Sequence, residues 1–348
     1  MMRQLTAAPG FGWVLAIAAA AAVGLALITG TGTPVAVGTG ALRDGMFGTP
    51  YAIGNALNAA AVLALVAVGF TIAHRAGLVN VGGEGQIAAG GIAATLVGVA
   101  LPDAWPPAAG VPLTLAAGFV GGAVWALGPA VLRSLRDTSE VITTLLMNFV
   151  GAGLVALCVH EESLLRQPIT SAATLPQSAP LAPSARLPLL GPPEAQATAA
   201  ILVAAAAVLV ALVVTRWTVT GTRLVAVGRS VPAARRLGLP VARLQVAALC
   251  TAGGLAGIAG ATLVATVPFV LKEGFTAGFG FAGLVVGLLA GRSIAAVAAI
   301  ALAFGFLASG GINLQIAAGV PASSVQIVQS VLIIVVAGAA ILRERGTS

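Results

Sequence analysis

Four polar residues stand inside otherwise apolar parts of the sequence, and they are the first candidates for chemistry. Asn80, Glu84 and Gln86 lie in the glycine-rich stretch GLVNVGGEGQIAAGG at residues 77–91, and Asn148 lies in the later segment SEVITTLLMNFVG. A carboxylate inside a membrane is costly, so Glu84 by default indicates a functional site. Glycines beside it let a helix break or let two backbones approach closely. A polar, glycine-broken span is typical of a path for a solute.

Each of these side chains also has a purely structural interpretation. Glu84 either lines a path or pairs with Arg75, His74 or backbone groups at a broken helix. Asn148 lies eight residues after Glu140, on nearly the same helical face, and either faces solute or hydrogen-bonds across helices. The sequence leaves both alternatives open.

A second candidate lies in the strongly basic segment at residues 216–243. Within it, GRSVPAARRLGLPVAR predicts a short helix between Pro232 and Pro240, because proline suits a first helical turn and Gly238 suits a helix end. The arginines alone would fit a cytoplasmic loop between spans. The amphipathic helix between the prolines favours docking into a groove of a cytoplasmic partner. The candidate docking residues are Pro232, Ala233, Ala234, Arg235, Arg236, Leu237 and Gly238.

The composition is that of a polytopic membrane protein. The chain is 59% hydrophobic and only 8% charged, with a mean hydropathy of +1.05, whereas about 25% of the residues in a soluble domain are charged. Abundant Ala, Val, Leu and Gly favour closely packed helices rather than the alternating pattern of a barrel. The net charge of +7 comes from arginines between apolar segments, so it predicts membrane lipid and no nucleic acid as a partner.

The predicted fold class is all-α, with about ten transmembrane helices in a single domain over residues 1–348. The predicted spans are residues 11–28, 51–72, 77–101, 110–132, 141–159, 198–214, 244–267, 281–290, 294–309 and 325–342. The first is an extra N-terminal span, and its alternative is a cleaved signal peptide. Residues 29–50 are predicted as a glycine-rich loop, residues 160–195 as an external loop and residues 216–243 as a cytoplasmic loop.

The distribution of cations predicts the orientation. With ten spans both termini fall on one side, and 13 of the 17 lysines and arginines fall on that side. Positive charge stays inside, so both termini are expected to be cytoplasmic. The second to fifth and the seventh to tenth spans form two groups of four with opposite orientation. This arrangement predicts an inverted repeat in which the third and eighth spans correspond.

Signals of a soluble enzyme are absent from the sequence. It contains no Walker A motif, no HExxH and no CxxC. Its two cysteines, Cys158 and Cys250, form neither a metal-binding pattern nor a disulfide framework. We therefore predict a protein that is not an enzyme, with no catalytic residue, no metal and no cofactor.

Four segments together resemble the permease subunits of bacterial ABC importers, in the branched-chain amino acid, ribose and nucleoside permease superfamily. GLVNVGGEGQ and SEVITTLLMNFVG are similar to signatures of its nucleoside and simple-sugar branch. GRSVPAARRLGLPVAR is similar to the loop whose short helix fits the ATPase subunit, and GVPASSVQIVQSVLIIVVA resembles the last span. The resemblance runs from about residue 52 to the C-terminus. Two departures are Val81-Gly82-Gly83, where Ile-Gly-Val is more usual, and Arg236, where tyrosine is common.

The resemblance implies an importer with divided labour. Two permease subunits form the path, separate ABC ATPase subunits hydrolyse ATP, and an external solute-binding lipoprotein delivers a nucleoside or simple sugar. It further implies a heterodimer with a second, shorter permease in a bacterial cell membrane. The path candidates are then Asn80, Glu84, Gln86 and Asn148, and residues 232–238 couple to the ATPase. The alternative function is secondary transport, driven by an ion gradient through Glu84.

Overall fold

A computed structural model describes residues 11–170 and 175–321, together with residues 324, 327, 328, 330, 331 and 335. In this part the chain forms twelve α-helices joined by turns and loops. Their bounds are α1 Phe11–Gly30, α2 Val35–Phe47, α3 Pro50–Arg75, α4 Gly83–Ala100, α5 Pro107–Arg136, α6 Glu140–His160, α7 Ala200–Trp217, α8 Val219–Arg229, α9 Val231–Arg236, α10 Val241–Val264, α11 Phe279–Ala290 and α12 Ile294–Ala318. The all-α prediction is confirmed for the residues that the structure describes.

Six of the described helices are long and apolar enough to cross a membrane: α3, α5, α6, α7, α10 and α12. Where the first span was expected, Ala21–Gly30 and Val35–Phe47 form a pair bent by 118°. As expected for the eighth span, α11 is short, with 12 residues. The chain is therefore a multi-pass membrane protein. The count of about ten spans stays a prediction, and the tenth, at 325–342, lies mostly outside the described residues.

The chain divides into two compact units. The first comprises the described residues of 1–60, 191–197 and 302–348, and the second comprises those of 61–190 and 198–301. Both candidate sites, around Glu84 and around residues 232–238, belong to the second unit. The helices α3 and α12 each contribute residues to both units.

In the first unit, the loop predicted at residues 29–50 is wrong, because α2 occupies much of it. Its glycines serve close helix packing instead of a loop. A Cβ atom at Gly45 would lie 2.9 Å from the Cα atom of Gly310. Polar side chains of α12 also hold the α2 backbone: Ser309 donates to the carbonyl of Gly45 at 2.9 Å, and Asn313 donates to that of Ala41 at 2.7 Å.

In the second unit, α4, α5 and α10 pack closely at glycines. A Cβ atom at Gly90 of α4 would collide with the Cα atom of Gly257 of α10. The same residue of α10 also approaches α5, because a Cβ atom at Gly122 would lie 2.8 Å from the Cα atom of Gly257. Backbones at this distance gain dispersion contacts that larger side chains would prevent. The three helices form the packed frame that holds α4 in place.

Candidate functional site

The span predicted at 77–101 is a helix only in its second part. Between the end of α3 at Arg75 and the start of α4 at Gly83, residues 77–82 are not helical, and Gly77 has a φ angle of +78°. Backbone N–H and C=O groups in such a break lose their helical partners. Inside a membrane, with no water available, other protein groups must replace those partners.

One face of α6 supplies partners for the broken segment. Side chains four residues apart, Glu140, Thr144 and Asn148, point towards it in succession. The N–H of Val79 donates to Glu140 Oε1 at 3.3 Å, and the N–H of Val81 donates to Thr144 Oγ1 at 3.2 Å.

Asn148 makes the two shortest contacts of this series. Its Nδ2 donates to the carbonyl of Val81 at 2.9 Å, and its Oδ1 accepts from the N–H of Gly85 at 2.9 Å. Both polar atoms of the amide are thereby used, and the residue is 6% exposed. The structural alternative, hydrogen bonding between helices, is therefore realised for Asn148.

Asn80 and Gln86 bind each other. The Nδ2 of Asn80 donates to Gln86 Oε1 at 2.9 Å, and the Nε2 of Gln86 donates back to Asn80 Oδ1 at 3.0 Å. The same Asn80 oxygen accepts from the N–H of Gly82 at 3.1 Å. Both side chains are buried. This amide pair joins the start of the break to the first turn of α4.

Glu84 reaches the N-terminus of a different helix. Its Oε1 accepts a hydrogen bond from the N–H of Gly280 at 2.9 Å and a longer one from Phe281 at 3.4 Å, both in the first turn of α11. The two helix starts touch, because a Cβ atom at Gly83 would lie 2.9 Å from the carbonyl oxygen of Gly280. A carboxylate is favourable at such ends, where free N–H groups concentrate positive potential. Of the expected structural partners, it is backbone N–H groups that Glu84 binds.

A cleft of about 320 Å³ lies beside Glu84. One wall is α6, and the other wall is the segment that leads into α11. Its lining residues are Glu84, Ala88, Asn148, Ala152, Val155, Ala156, Glu273, Gly274, Phe275 and Thr276. Of the four sequence-predicted path residues, Glu84 and Asn148 reach this cleft, whereas Asn80 and Gln86 do not line it. A volume of this size is at the lower end of the range for small-molecule pockets.

The wall formed by residues 273–276 was not found from the sequence. Glu273, Phe275 and Thr276 lie in a short loop without a motif, far along the chain from Glu84. The only available signal was the glycine-rich start of the following span. Thr144 was also missed, although its place midway between Glu140 and Asn148 puts it on the same helical face.

The short helix predicted between two prolines is present as α9. Its first turn is capped by Ser230, whose Oγ accepts from the N–H of Ala233 at 3.3 Å. Ala234 is buried against Val227 and Val241. The other six candidate docking residues are exposed, and Leu237 is 74% exposed. The helix therefore rests on the protein through one small residue and presents a basic and apolar surface outwards.

The remainder of segment 216–243 differs from the expected loop, because α8 occupies Val219–Arg229. The end of α8 meets the broken segment directly. A Cβ atom at Gly77 would lie 3.1 Å from the Cα atom of Gly228. Arg75 secures this region by donating to the carbonyl of Arg292 at 3.0 Å and to that of Thr215 at 3.3 Å. Arg75 thus binds backbone carbonyls. The alternative in which Arg75 pairs with Glu84 is not what the structure shows.

Comparison with known proteins identifies the family. Residues 52–337 match the family described as branched-chain amino acid transport system / permease component. The chain belongs to this family. It is a permease component, a membrane transport protein rather than an enzyme, as predicted. No solved structure matches the chain.

Proteins similar to this chain include permeases from bacteria and an archaeon. A glucose ABC transporter permease protein of Haloferax volcanii is 34% identical over 75% of this chain and 69% of its own length. A guanosine ABC transporter permease protein of Bacillus subtilis is 29% identical over 89% of this chain and 87% of its own length. A nucleoside ABC transporter permease protein of Lactococcus lactis is 28% identical over 83% of this chain and 80% of its own length. The predicted resemblance to the nucleoside and sugar branch is confirmed.

Proposed function

We propose that this permease is the membrane subunit of an ATP-driven ABC importer that moves nucleosides or related simple sugars into the cell by alternating access. The observation that carries the proposal is the family membership combined with the exposed surface of α9. Relatives named for guanosine, nucleosides and glucose support this class of solute. The chain has no Walker A motif, so the ATP is hydrolysed on other subunits.

The complete transporter would contain ABC ATPase subunits, a second and shorter permease, and an extracytoplasmic lipoprotein that binds the solute. In a bacterial cell membrane both termini would be cytoplasmic, with ten spans arranged as an inverted repeat. The contact of α4 with α11 supports the repeat, since these helices follow the breaks in the two corresponding spans. Paired broken helices are a common architecture for a solute site.

The path runs past the cleft beside Glu84. Asn148 also reaches the cleft, while Asn80 and Gln86 contribute by holding the break in shape. Motion from the ATPase subunits would enter at residues 232–238. The end of α8 lies between that helix and the break, and Gly228 touches Gly77. A rigid-body movement of α8 and α9 would therefore displace the break and alternately open the cleft to each side.

Uptake by the reconstituted complex tests this proposal. Proteoliposomes that contain the permease pair, the ATPase subunits and the lipoprotein should take up radiolabelled guanosine or glucose only with ATP inside. Uptake by this chain alone, driven by a proton or sodium gradient and lost in Glu84→Gln, would instead establish the ion-coupled alternative and overturn the proposal.

Docking through α9 has its own test. Leu237→Glu places a charge on the exposed apolar surface and should abolish co-purification of the ATPase subunits while the permease remains folded. Leu175→Glu is the matched control, since Leu175 is 65% exposed in the segment predicted to be external. Normal ATPase binding by Leu237→Glu, or equal loss in both variants, would contradict docking at α9.

A further inference from the structure

Two helix starts and the carboxyl group of Glu84 meet beside the cleft. Two helices, α4 and α11, begin within contact of each other, at Gly83 and Gly280. Each helix start carries N–H groups without helical partners and a partial positive charge. Such an end is a ready binding site for an anion. Two of them together beside a cleft would attract anionic solutes.

The carboxyl group of Glu84 occupies that position. It lies in the first turn of α4, and its Oε1 accepts from the N–H groups of Gly280 and Phe281 in the first turn of α11. Thr276 lines the cleft together with Glu84. The N–H groups of Gly280 and Phe281 are therefore already engaged and are not available to an incoming phosphate or carboxylate.

The remainder of the cleft provides no positive side chain. Among its described lining residues the charged ones are Glu84 and Glu273, both acidic. Outside the lining, His160 pairs with one of these acids, its Nε2 lying 3.1 Å from Glu273 Oε1. The other walls are small and apolar, formed by alanines, Val155 and the ring of Phe275. The described lining of the cleft thus includes acidic side chains and no basic one.

We propose that Glu84 makes this cleft a filter that admits uncharged, hydroxyl-bearing solutes and excludes anions such as phosphorylated sugars and nucleotides. This inference rests on the proposed function, in that it takes the cleft as part of the path. Hydroxyl groups can donate to carboxylate oxygens, whereas the negative charge of a phosphate is repelled by a carboxylate. Selection by charge is then a property of the permease and not only of the protein that delivers the solute.

Cysteine modification measures this property without any transport assay. In the full-length chain that carries Cys158→Ala and Cys250→Ala, a single cysteine is introduced in the cleft by Ala152→Cys. The solubilised protein is treated with a neutral and with an anionic methanethiosulfonate reagent, and the two rates are compared. Pro180→Cys, on an exposed position outside the cleft, provides the reference ratio for the same reagents.

The expected result is a neutral-to-anionic rate ratio at Ala152→Cys about tenfold above that at Pro180→Cys, since a carboxylate charge that lines the same cleft is only partly screened there. Adding Glu84→Gln should bring the ratio close to the reference, and Glu84→Asp should keep it high. A merely structural role for Glu84 would slow or speed both reagents together. Gel filtration identifies variants that do not fold.

Equal ratios at the two positions in the otherwise unchanged chain would overturn the proposal, and this comparison needs no substitution of Glu84. An unchanged ratio in a folded Glu84→Gln variant would also overturn it. Neither result depends on ATP or on partner subunits. A failure here is therefore distinct from a failure of the proposed function, which would appear as the loss of ATP-dependent uptake.

Discussion

The side-chain amide of Asn148 and the backbone N–H of Gly85 are 2.9 Å apart, and this contact fixes the start of α4 against α6. The same amide donates to the carbonyl of Val81, within the break. One residue therefore satisfies a backbone group of the interrupted segment and one in the first turn of α4. In a membrane interior, unpaired backbone groups are expensive, so the break depends on this amide.

Replacement of Asn148 by leucine should destabilise the protein. Asn148→Leu keeps a similar volume but leaves two buried backbone groups without partners, which should cost about 1–2 kcal/mol. The change is measured as a lower unfolding midpoint of the solubilised protein. Phe149→Leu, at the neighbouring position that is 71% exposed, should unfold close to the parent. Equal midpoints for the two variants would mean that the break does not rely on Asn148.

The amide pair of Asn80 and Gln86 should behave non-additively. Gln86→Leu orphans the Asn80 amide, so each single change to leucine should be destabilising, whereas the double variant should lose about 1 kcal/mol less than the sum. The double variant still leaves the N–H of Gly82 without the hydrogen bond that Asn80 Oδ1 accepts from it at 3.1 Å. A double-mutant cycle of unfolding free energies measures the coupling. Strict additivity would show that the two side chains act independently.

A methyl group at Gly90 should disturb the packing of α4 against α10. Gly90→Ala places a Cβ atom against the backbone of Gly257, which cannot move as a flexible side chain would. Overpacking of this kind should cost about 1–3 kcal/mol. The matched control is Gly128→Ala in α5, where a Cβ atom meets nothing within 4 Å.

In that control, alanine should be neutral or should stabilise the helix by up to about 1 kcal/mol. The thermal unfolding midpoints of Gly90→Ala and Gly128→Ala, measured in the same detergent, test this difference. A stable Gly90→Ala variant would mean that the three-helix frame tolerates wider spacing than its backbones indicate.

The sequence predicted most accurately the features that depend on residues close together in the chain. The helix α9 was found from Pro232 and Gly238, because capping chemistry acts within a few residues. The hydrophobic runs likewise predicted the long helices. Polar residues of a broken span were identified as important, yet their individual roles were not, since the partners of Glu84 lie almost two hundred positions further along the chain.

The errors have the same physical origin. Residues 29–50 were predicted as a loop because glycine and threonine are frequent there, but Gly45 allows close packing against Gly310, which only the folded chain reveals. The helix α8 was missed because its arginines suggested a solvated loop. Local composition therefore indicates where glycine and charge concentrate, whereas distant contacts decide what they do.

The end of α9 gives the last prediction, which concerns coupling. Gly238 has a φ angle of +72°. Its N–H donates to the carbonyl of Arg235 at 3.0 Å, and the N–H of Leu239 donates to that of Ala234 at 3.1 Å. This is a Schellman ending, which needs a left-handed residue at the glycine position. A Cβ atom there would meet nothing within 4 Å, so any cost of a side chain comes from the backbone conformation alone.

Gly238→Val should therefore strain the ending by about 1–2 kcal/mol, whereas Gly238→Asn, which tolerates the left-handed conformation, should not. Hydrogen exchange of the α9 amides should accelerate in the valine variant only. In the complete transporter, the same variant should lose solute-stimulated ATP hydrolysis while the asparagine variant keeps it. Both substitutions add an exposed side chain of similar size. If the valine and asparagine variants lost ATP hydrolysis to the same extent, the loss would come from the added bulk at the surface. The left-handed conformation at Gly238 would then have no part in coupling.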